Sequence, residues 1–172
     1  TKDPAVDALL RDRFLALQEA IVAGEREAWL ATPRGRLAYV IVLDQFSRNM
    51  FRGTARMFAA DERALRVALE ALDRGEDRDL EIGVRSFLYM PLMHSESLAM
   101  HDEAIRIFGA ILADAERDVP TLVGYAKSTL DYEQKHRVIV ERFGRYPHRN
   151  AILGRASTPE EIEFLETPGS GF

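Results

Sequence analysis

Cysteine is absent from the 172 residues. That removes disulfides, a thiolate nucleophile and cysteine-ligated zinc or iron–sulfur centres, and it fits a protein of the reducing cytoplasm. Long apolar runs are also missing: the longest, Leu37 to Leu43, falls far short of the ~18 residues of a membrane span, so no membrane partner is expected. Strands with period-two alternation are lacking. So are a glycine-rich phosphate loop, a strand–turn–helix serine elbow, a pair of histidines four apart on a helix, and any cofactor fingerprint. No cofactor and no metal are therefore expected. A net positive charge is lacking too. The formal charge is −5 and the isoelectric point about 5.4, a balance that argues against nucleic acid as partner. No secretory signal opens the chain, and it begins at Thr1 rather than Met, which leaves room for an upstream segment.

What is present is helix. Apolar residues make up 47% and charged residues 30%, the proportions of a single globular domain, here taken as 1–172. Asp3-Pro4 is a cap and first-turn proline, followed by Val6, Leu9, Leu10, Phe14, Leu17 and Ile21 at helical spacing and a stop at Gly24. A short piece at Glu25–Leu30 carries Trp29, the only tryptophan. Thr32-Pro33 opens a second helix, apolar nearly all round to Phe46 and broken at Gly53-Thr54. A third is read at Ala59–Leu72. A fourth, Ile82–Met90, is expected to be interrupted at Pro91. Ser95 or Ser97 caps a fifth that runs to about Ala115. Pro120-Thr121 opens a sixth, with Tyr125, Thr129, Tyr132, His136, Ile139 and Val140 facing inward, stopped by Gly144. Thr158-Pro-Glu-Glu161 is a capping box for a short seventh. The expected fold is all-α, about seven helices in antiparallel hairpins.

Charge is unevenly placed. Between Gln134 and Arg155, six cations (Lys135, Arg137, Arg142, Arg145, Arg149 and Arg155) oppose Glu141 alone. A local reversal on this scale marks an ion-pair network or an anion site. Two other segments carry clustered chemistry. Asp44, Arg48 and Arg52 stand four apart on one face of the second helix. Met93-His94-Ser95-Glu96 follows Pro91 at a helix end, where side chains converge on clefts.

The three segments Leu43–Thr54, Phe87–Glu96 and His136-Arg137 with Arg142–Arg155 resemble the bacterial family known as domain of unknown function 924. The resemblance runs from Asp3 to Phe172 and takes in Ser157–Glu161 and the Pro168-Gly-Ser-Gly-Phe172 end. It implies a helical array like tetratricopeptide superhelices and a family without an assigned activity. The family pattern opens with an aromatic-rich segment ahead of the position of Thr1. It also prefers an Asp-Gln type pair where Met100-His101 stands, which makes His101 a poor candidate for a shared role.

Three functional readings follow. The leading one is a binding module whose groove takes an anionic small molecule or peptide terminus, with Arg48, Arg52, His94, Glu96, His136, Arg137, Arg145, His148, Arg149 and Asn150 as candidate contacts. The second is a hydrolase-type enzyme in which His94 or His136 works with Glu96 as acid and base and the arginines clamp charge. It requires His94 and His136 within ~10 Å of each other. The third is a closed ion-pair lattice of structural or protein-interaction role, with the arginines tied to carboxylates such as Asp61, Glu62 or Glu96. Arg137 is expected to reach Glu133 or Asp44. A homodimer is left open by the sequence.

Overall fold

The computed structural model describes residues 3–170; Thr1 and the final Phe172, which bound the sequence and the resemblance, lie outside the described residues. Among the described residues there are seven helices and no strand. Helix α1 spans Pro4–Val22, with the Asp3 carboxylate accepting the N–H groups of Ala5 and Val6. Helix α2 starts at Pro33 under a Thr32 cap, runs α-helical over Pro33–Ile41, widens into a π turn over Val42–Phe46 and closes over Ser47–Met50. Helices α3 (Asp61–Asp73), α4 (Ile82–Met93), α5 (Leu98–Asp118) and α6 (Val123–Phe143) follow, and α7 (Pro159–Leu165) ends the order under the Thr158–Glu161 capping box.

Two expectations about elements are corrected. Pro91 does not interrupt its helix: α4 passes through it to Met93. Only Leu92 and Met93 lie beyond the proline, so its missing N–H costs the helix one bond, that to the Phe87 carbonyl. The second is the facing of α6. Its buried residues are Ala126, Thr129, Glu133, His136, Ile139 and Val140, while Tyr132 is 51% exposed. Polar residues hold much of the inward face, so apolar spacing alone misplaces the stripe.

The core is built from Ile21, Tyr39, Val40, Leu43, Leu88, Tyr89, Leu92, Phe108 and Ile111, with the alanines of α3 and α5 letting helices approach closely. A smaller cluster of Ile139, Val140 and Tyr146, with Phe143 and Phe164 beside it, docks the chain after α6. Gly144 makes that departure possible. It adopts φ +67°, a left-handed conformation that ends α6, with its N–H donating to the Val140 carbonyl at 2.7 Å. The strap from residue 145 to 158 then folds back across the ends of α2, α4 and α5.

Candidate functional site

Folding back brings the strap to the π turn of α2 and the C-terminal end of α4. A cavity of about 440 Å³ lies there, lined by Gln45, Arg48, Asn49 and Arg52 of α2 and its turn, Met57 and Phe58, His94, His136, and Tyr146, His148 and Arg149 of the strap. This volume sits within the ~300–1,000 Å³ typical of small-molecule sites. Its aromatic rings form a chain. His94 lies 6.4 Å from His136, His136 lies 5.7 Å from Tyr146, and Tyr146 lies 5.4 Å from His148, measured between ring centres.

Asp44 is the buried anchor of the site, its carboxylate wholly enclosed in the π turn. Oδ1 accepts the Nδ1–H of His94 at 2.7 Å and sits 2.9 Å from the Arg48 guanidinium, and Oδ2 accepts from the Gln45 amide at 2.5 Å. Burial pushes this carboxyl up, but His94 and Arg48, with the bonds from His94 and Gln45, outweigh it and hold the pKa at about 2. Asp44 is therefore ionised at neutral pH. Conversely, burial and then the charge of Arg48 drive the His94 pKa below its ordinary value against the pull of Asp44. A neutral imidazole whose Nδ1–H donates to a carboxylate has its remaining lone pair on Nε2. Among the described residues no group hydrogen-bonds that nitrogen.

The arginines are unequally compensated. Arg48 forks onto Asp61 with two bonds of 2.9 Å and also touches Asp44. Burial works against its charge, but the two carboxylates hold its pKa above the usual range. Arg52 forks onto Asp7 at 2.6 and 2.8 Å. Arg149 is treated differently. It donates to the His94 carbonyl at 2.8 Å and stacks over Phe58 and Tyr146, each ring centre 4.6 Å away. Among the described residues its nearest carboxylate oxygen is Asp61 Oδ2 at 3.5 Å, which Arg48 already holds. Among the described residues its buried Nε has no hydrogen-bond partner. Burial, reinforced by the neighbouring Arg48, pulls the Arg149 pKa down despite Asp61.

Two further histidines are kept neutral. His136 donates Nδ1–H to the Tyr132 carbonyl at 2.8 Å, and burial pushes its pKa down to about 3. For His148, burial and then Arg149 push it to about 4. At pH 7 the cavity wall therefore combines guanidinium charge with uncharged imidazoles. Among the described residues no group of three or more His, Asp and Glu is arranged to hold a metal ion.

Six of the ten candidate residues line this cavity: Arg48, Arg52, His94, His136, His148 and Arg149. The other four stand elsewhere. Glu96 accepts a fork from Arg155 at 2.7 and 2.9 Å and the Tyr146 N–H at 2.8 Å, so it fastens the strap and is not the partner of His94. Arg145 forks onto Glu161 at 2.7 and 2.8 Å, and Asn150 donates to Ser157 and Glu161. Both tie the strap to α7. Arg137 reaches neither Glu133 nor Asp44. It bonds Asp102 at 2.8 Å and Glu141 at 3.0 Å on the outer face, because Glu133 is turned inward to His101. The ion-pair lattice expected as the plain alternative thus accounts for Arg137, Arg142, Arg145 and Arg155, and reaches Arg149 only through its longer 3.5 Å contact with Asp61.

The residues 1–169 match the model of a family described as bacterial protein of unknown function, DUF924. The chain belongs to this family. Among solved structures it is similar to a protein of unknown function, ATU0120 from Agrobacterium tumefaciens, at 39% identity and a TM-score of 0.82, covering 96% of this chain and 86% of that one. No curated protein matches.

Within this family member the residues that sequence reasoning missed are Asp44 as the partner of His94, and Gln45, Asn49, Met57, Phe58 and Tyr146 as cavity wall. Asp44 was legible only as a partner of Arg48 at i, i+4 or of Arg137. A signal was available: a carboxylate in an otherwise apolar helix needs more than one partner to be buried. Among the described residues no helix is long and apolar enough to cross a membrane.

Proposed function

We propose that the cavity binds a small anionic molecule or the acidic terminus of a peptide, with Arg149 and Arg48 as the principal contacts. Arg52, His94, His136 and His148 complete the polar wall, and Met57 and Phe58 offer an apolar side. Glu96, Arg137, Arg145 and Asn150 do not touch the ligand and serve the surrounding scaffold.

The observation that carries this reading is the state of Arg149. It is a guanidinium only 8% exposed, with a shared carboxylate at 3.5 Å and a buried Nε without a partner. A buried cation lacking a close counter-charge is costly, and a bound anion removes that cost. The aromatic faces of Phe58 and Tyr146 hold the guanidinium in place, so little ordering is needed on binding.

Thermal unfolding in the presence of phosphate, sulfate and glutarate tests the reading. An anion at ten times its Kd adds about 1.4 kcal/mol, which for a domain of this size raises Tm by roughly 3–6 °C. The shift should vanish in Arg149→Gln. No stabilisation by any of the three at tens of millimolar would remove the proposal.

A further inference from the structure

His94 is clamped twice. Its ring donates Nδ1–H to the buried Asp44 carboxylate at 2.7 Å, and its carbonyl accepts from Arg149 at 2.8 Å. Pro91 stiffens the turn of α4 that delivers it. Nothing in that clamp uses Nε2, the basic nitrogen, on a ring that lines the cavity. A carboxylate that fixes one imidazole tautomer and leaves the other nitrogen facing a ligand space is an arrangement for taking a proton from that space.

We infer that the cavity hydrolyses small esters that carry a carboxylate, with His94 as the general base for water and Asp44 as the residue that positions it. The inference rests on the anion-binding reading, because Arg149 anchors the carboxylate.

Water is taken as the nucleophile, with His94 as its base, because the lining offers no hydroxyl or thiol to attack. None of them is a serine, threonine or cysteine, and the Tyr146 hydroxyl is engaged, donating to the Met93 carbonyl at 2.5 Å. Charge selects the substrate class. Arg48 and Arg52 are already matched by Asp61, Asp44 and Asp7, so among the described lining residues Arg149 is the arginine with the weakest carboxylate pairing. That leaves a place for one negative charge, which suits a carboxylate better than a phosphate dianion. Reactivity points the same way. Phosphoryl transfer runs through a loose transition state that gains little from deprotonating the attacking water. Addition of water to an ester carbonyl gains much.

The step balances within the site. The water oxygen bonds to the ester carbonyl carbon while its proton passes to His94 Nε2. The tetrahedral intermediate then breaks its bond to the alkoxy oxygen, which takes the same proton from His94 as it leaves. Acid and alcohol are the products, and Asp44 stays ionised while it stabilises the transient imidazolium. Arg52 lines the same wall and keeps Nη1 outside its fork onto Asp7, a donor for the developing oxyanion.

The groups that set the His94 titration come from every element around it: Asp44 and Arg48 of α2, Asp61 of α3, His136 of α6, and His148 and Arg149 of the strap. The neutral form is the active one, so kcat/KM rises with pH to a midpoint below the ordinary histidine value and is flat through pH 7.

The test uses mono-4-nitrophenyl glutarate as substrate, neutral 4-nitrophenyl butyrate as comparison and glutarate as binding probe. The glutarate ester should be hydrolysed well above the buffer rate and preferred at least tenfold over the neutral ester. His94→Gln should lose about 10²–10⁴-fold in kcat while keeping the thermal shift with glutarate. Asp44→Asn should lower kcat and move the midpoint of the pH profile downward, which a merely structural role would not do. Arg149→Gln should raise KM more than it lowers kcat. If His94→Gln fails to fold, a normal solvent deuterium isotope effect and the single rising limb in the parent protein carry the same information. Glutarate binding without hydrolysis, or hydrolysis unchanged in His94→Gln, overturns the inference and leaves the binding reading standing. Absence of hydrolysis together with no stabilisation by phosphate, sulfate or glutarate overturns both.

Discussion

His101 Nδ1 lies 2.6 Å from Glu133 Oε1, and neither side chain has any exposed surface. On its other side His101 Nε2 sits 2.9 Å from the Ser95 carbonyl and 3.3 Å from the Tyr146 hydroxyl. Oxygens face both ring nitrogens, so the imidazole is hydrogen-bonded on each side in a space that water does not reach. Burial pushes the Glu133 pKa up despite its bond to His101. This pair is the floor beneath Tyr146 and hence beneath the strap side of the cavity.

Glu133→Ala leaves His101 buried without its partner and is expected to cost about 3–5 kcal/mol of unfolding free energy. Glu133→Gln keeps an acceptor for Nδ1–H and should cost only about 1–2 kcal/mol. Urea unfolding of the two variants checks this. Equal losses would mean that the hydrogen bond contributes nothing beyond the volume it fills.

A second prediction concerns pH. His136 and His148 are held at about 3 and about 4 by burial, against about 6.5 in an unfolded chain. Between these values the unfolded chain binds protons that the native state refuses, so unfolding free energy falls as pH falls. The stabilisation is complete above pH ~6.5 and is lost progressively below it, about 4 kcal/mol for the two groups together by pH 5. Asp44 and Glu161, both held at about 2, extend the loss in the same direction at still lower pH. Urea unfolding at pH 7 and pH 5 measures the slope, and replacing both histidines by glutamine should flatten it. A bound anion favours protonated imidazole, so anion affinity should rise over the same interval with net proton uptake. Calorimetry in buffers of different ionisation enthalpy reads that uptake, and none would exclude the histidines from the anion's surroundings.

The helices were largely legible because caps and stops are local. Asp3-Pro4, Thr32-Pro33, Gly144 and Thr158–Glu161 each act within a turn of their own position, and each is found where its chemistry requires. The site was legible only as a set of segments. Arg48, Arg52, His94, His136, His148 and Arg149 meet at one cavity, but which carboxylate serves which cation depends on distances across the fold. Glu96 is two residues from His94 in sequence and yet holds Arg155, while Asp44, fifty residues away, holds His94. The π turn that turns Asp44 inward has no cap or stop to mark it in the sequence, and it packs against α1 and α3, which are distant from it along the chain.

The strap should behave as a separately weakened unit. It is tied by the Glu96 fork with Arg155 and by the Tyr146 N–H that donates to the same carboxylate. Burial works against the Glu96 charge, but Arg155 and that N–H outweigh it and hold the pKa below the ordinary range. Charge-assisted bonds of this kind contribute about 1.5–3 kcal/mol. Glu96→Gln should therefore speed amide exchange in residues 145–155 by roughly tenfold or more, with helices α3 and α4 unchanged, and should weaken anion binding through Arg149. Uniform acceleration across the chain would instead mean that the strap and the core open together.

The last prediction reverses a general rule. Gly→Ala inside a helix ordinarily stabilises by roughly 0.8–1 kcal/mol, and Gly35 lies in the first turn of α2. A methyl group there, however, would lie 2.0 Å from the Trp29 carbonyl oxygen and 2.9 Å from the Thr32 hydroxyl. The carbonyl is backbone and cannot swing aside as a flexible side chain would. The Thr32 hydroxyl is the cap of α2, accepting the Gly35 N–H at 3.1 Å. Accommodating the methyl group therefore means displacing the Glu27–Ala31 turn, loosening the cap, or both. Gly35→Ala should destabilise by about 1–3 kcal/mol as an overpacking change, whereas Gly109→Ala in α5, where an added Cβ meets nothing within 4 Å, should be neutral or stabilising. Thermal unfolding of the two variants separates the cases, because the propensity scale alone predicts the same sign for both.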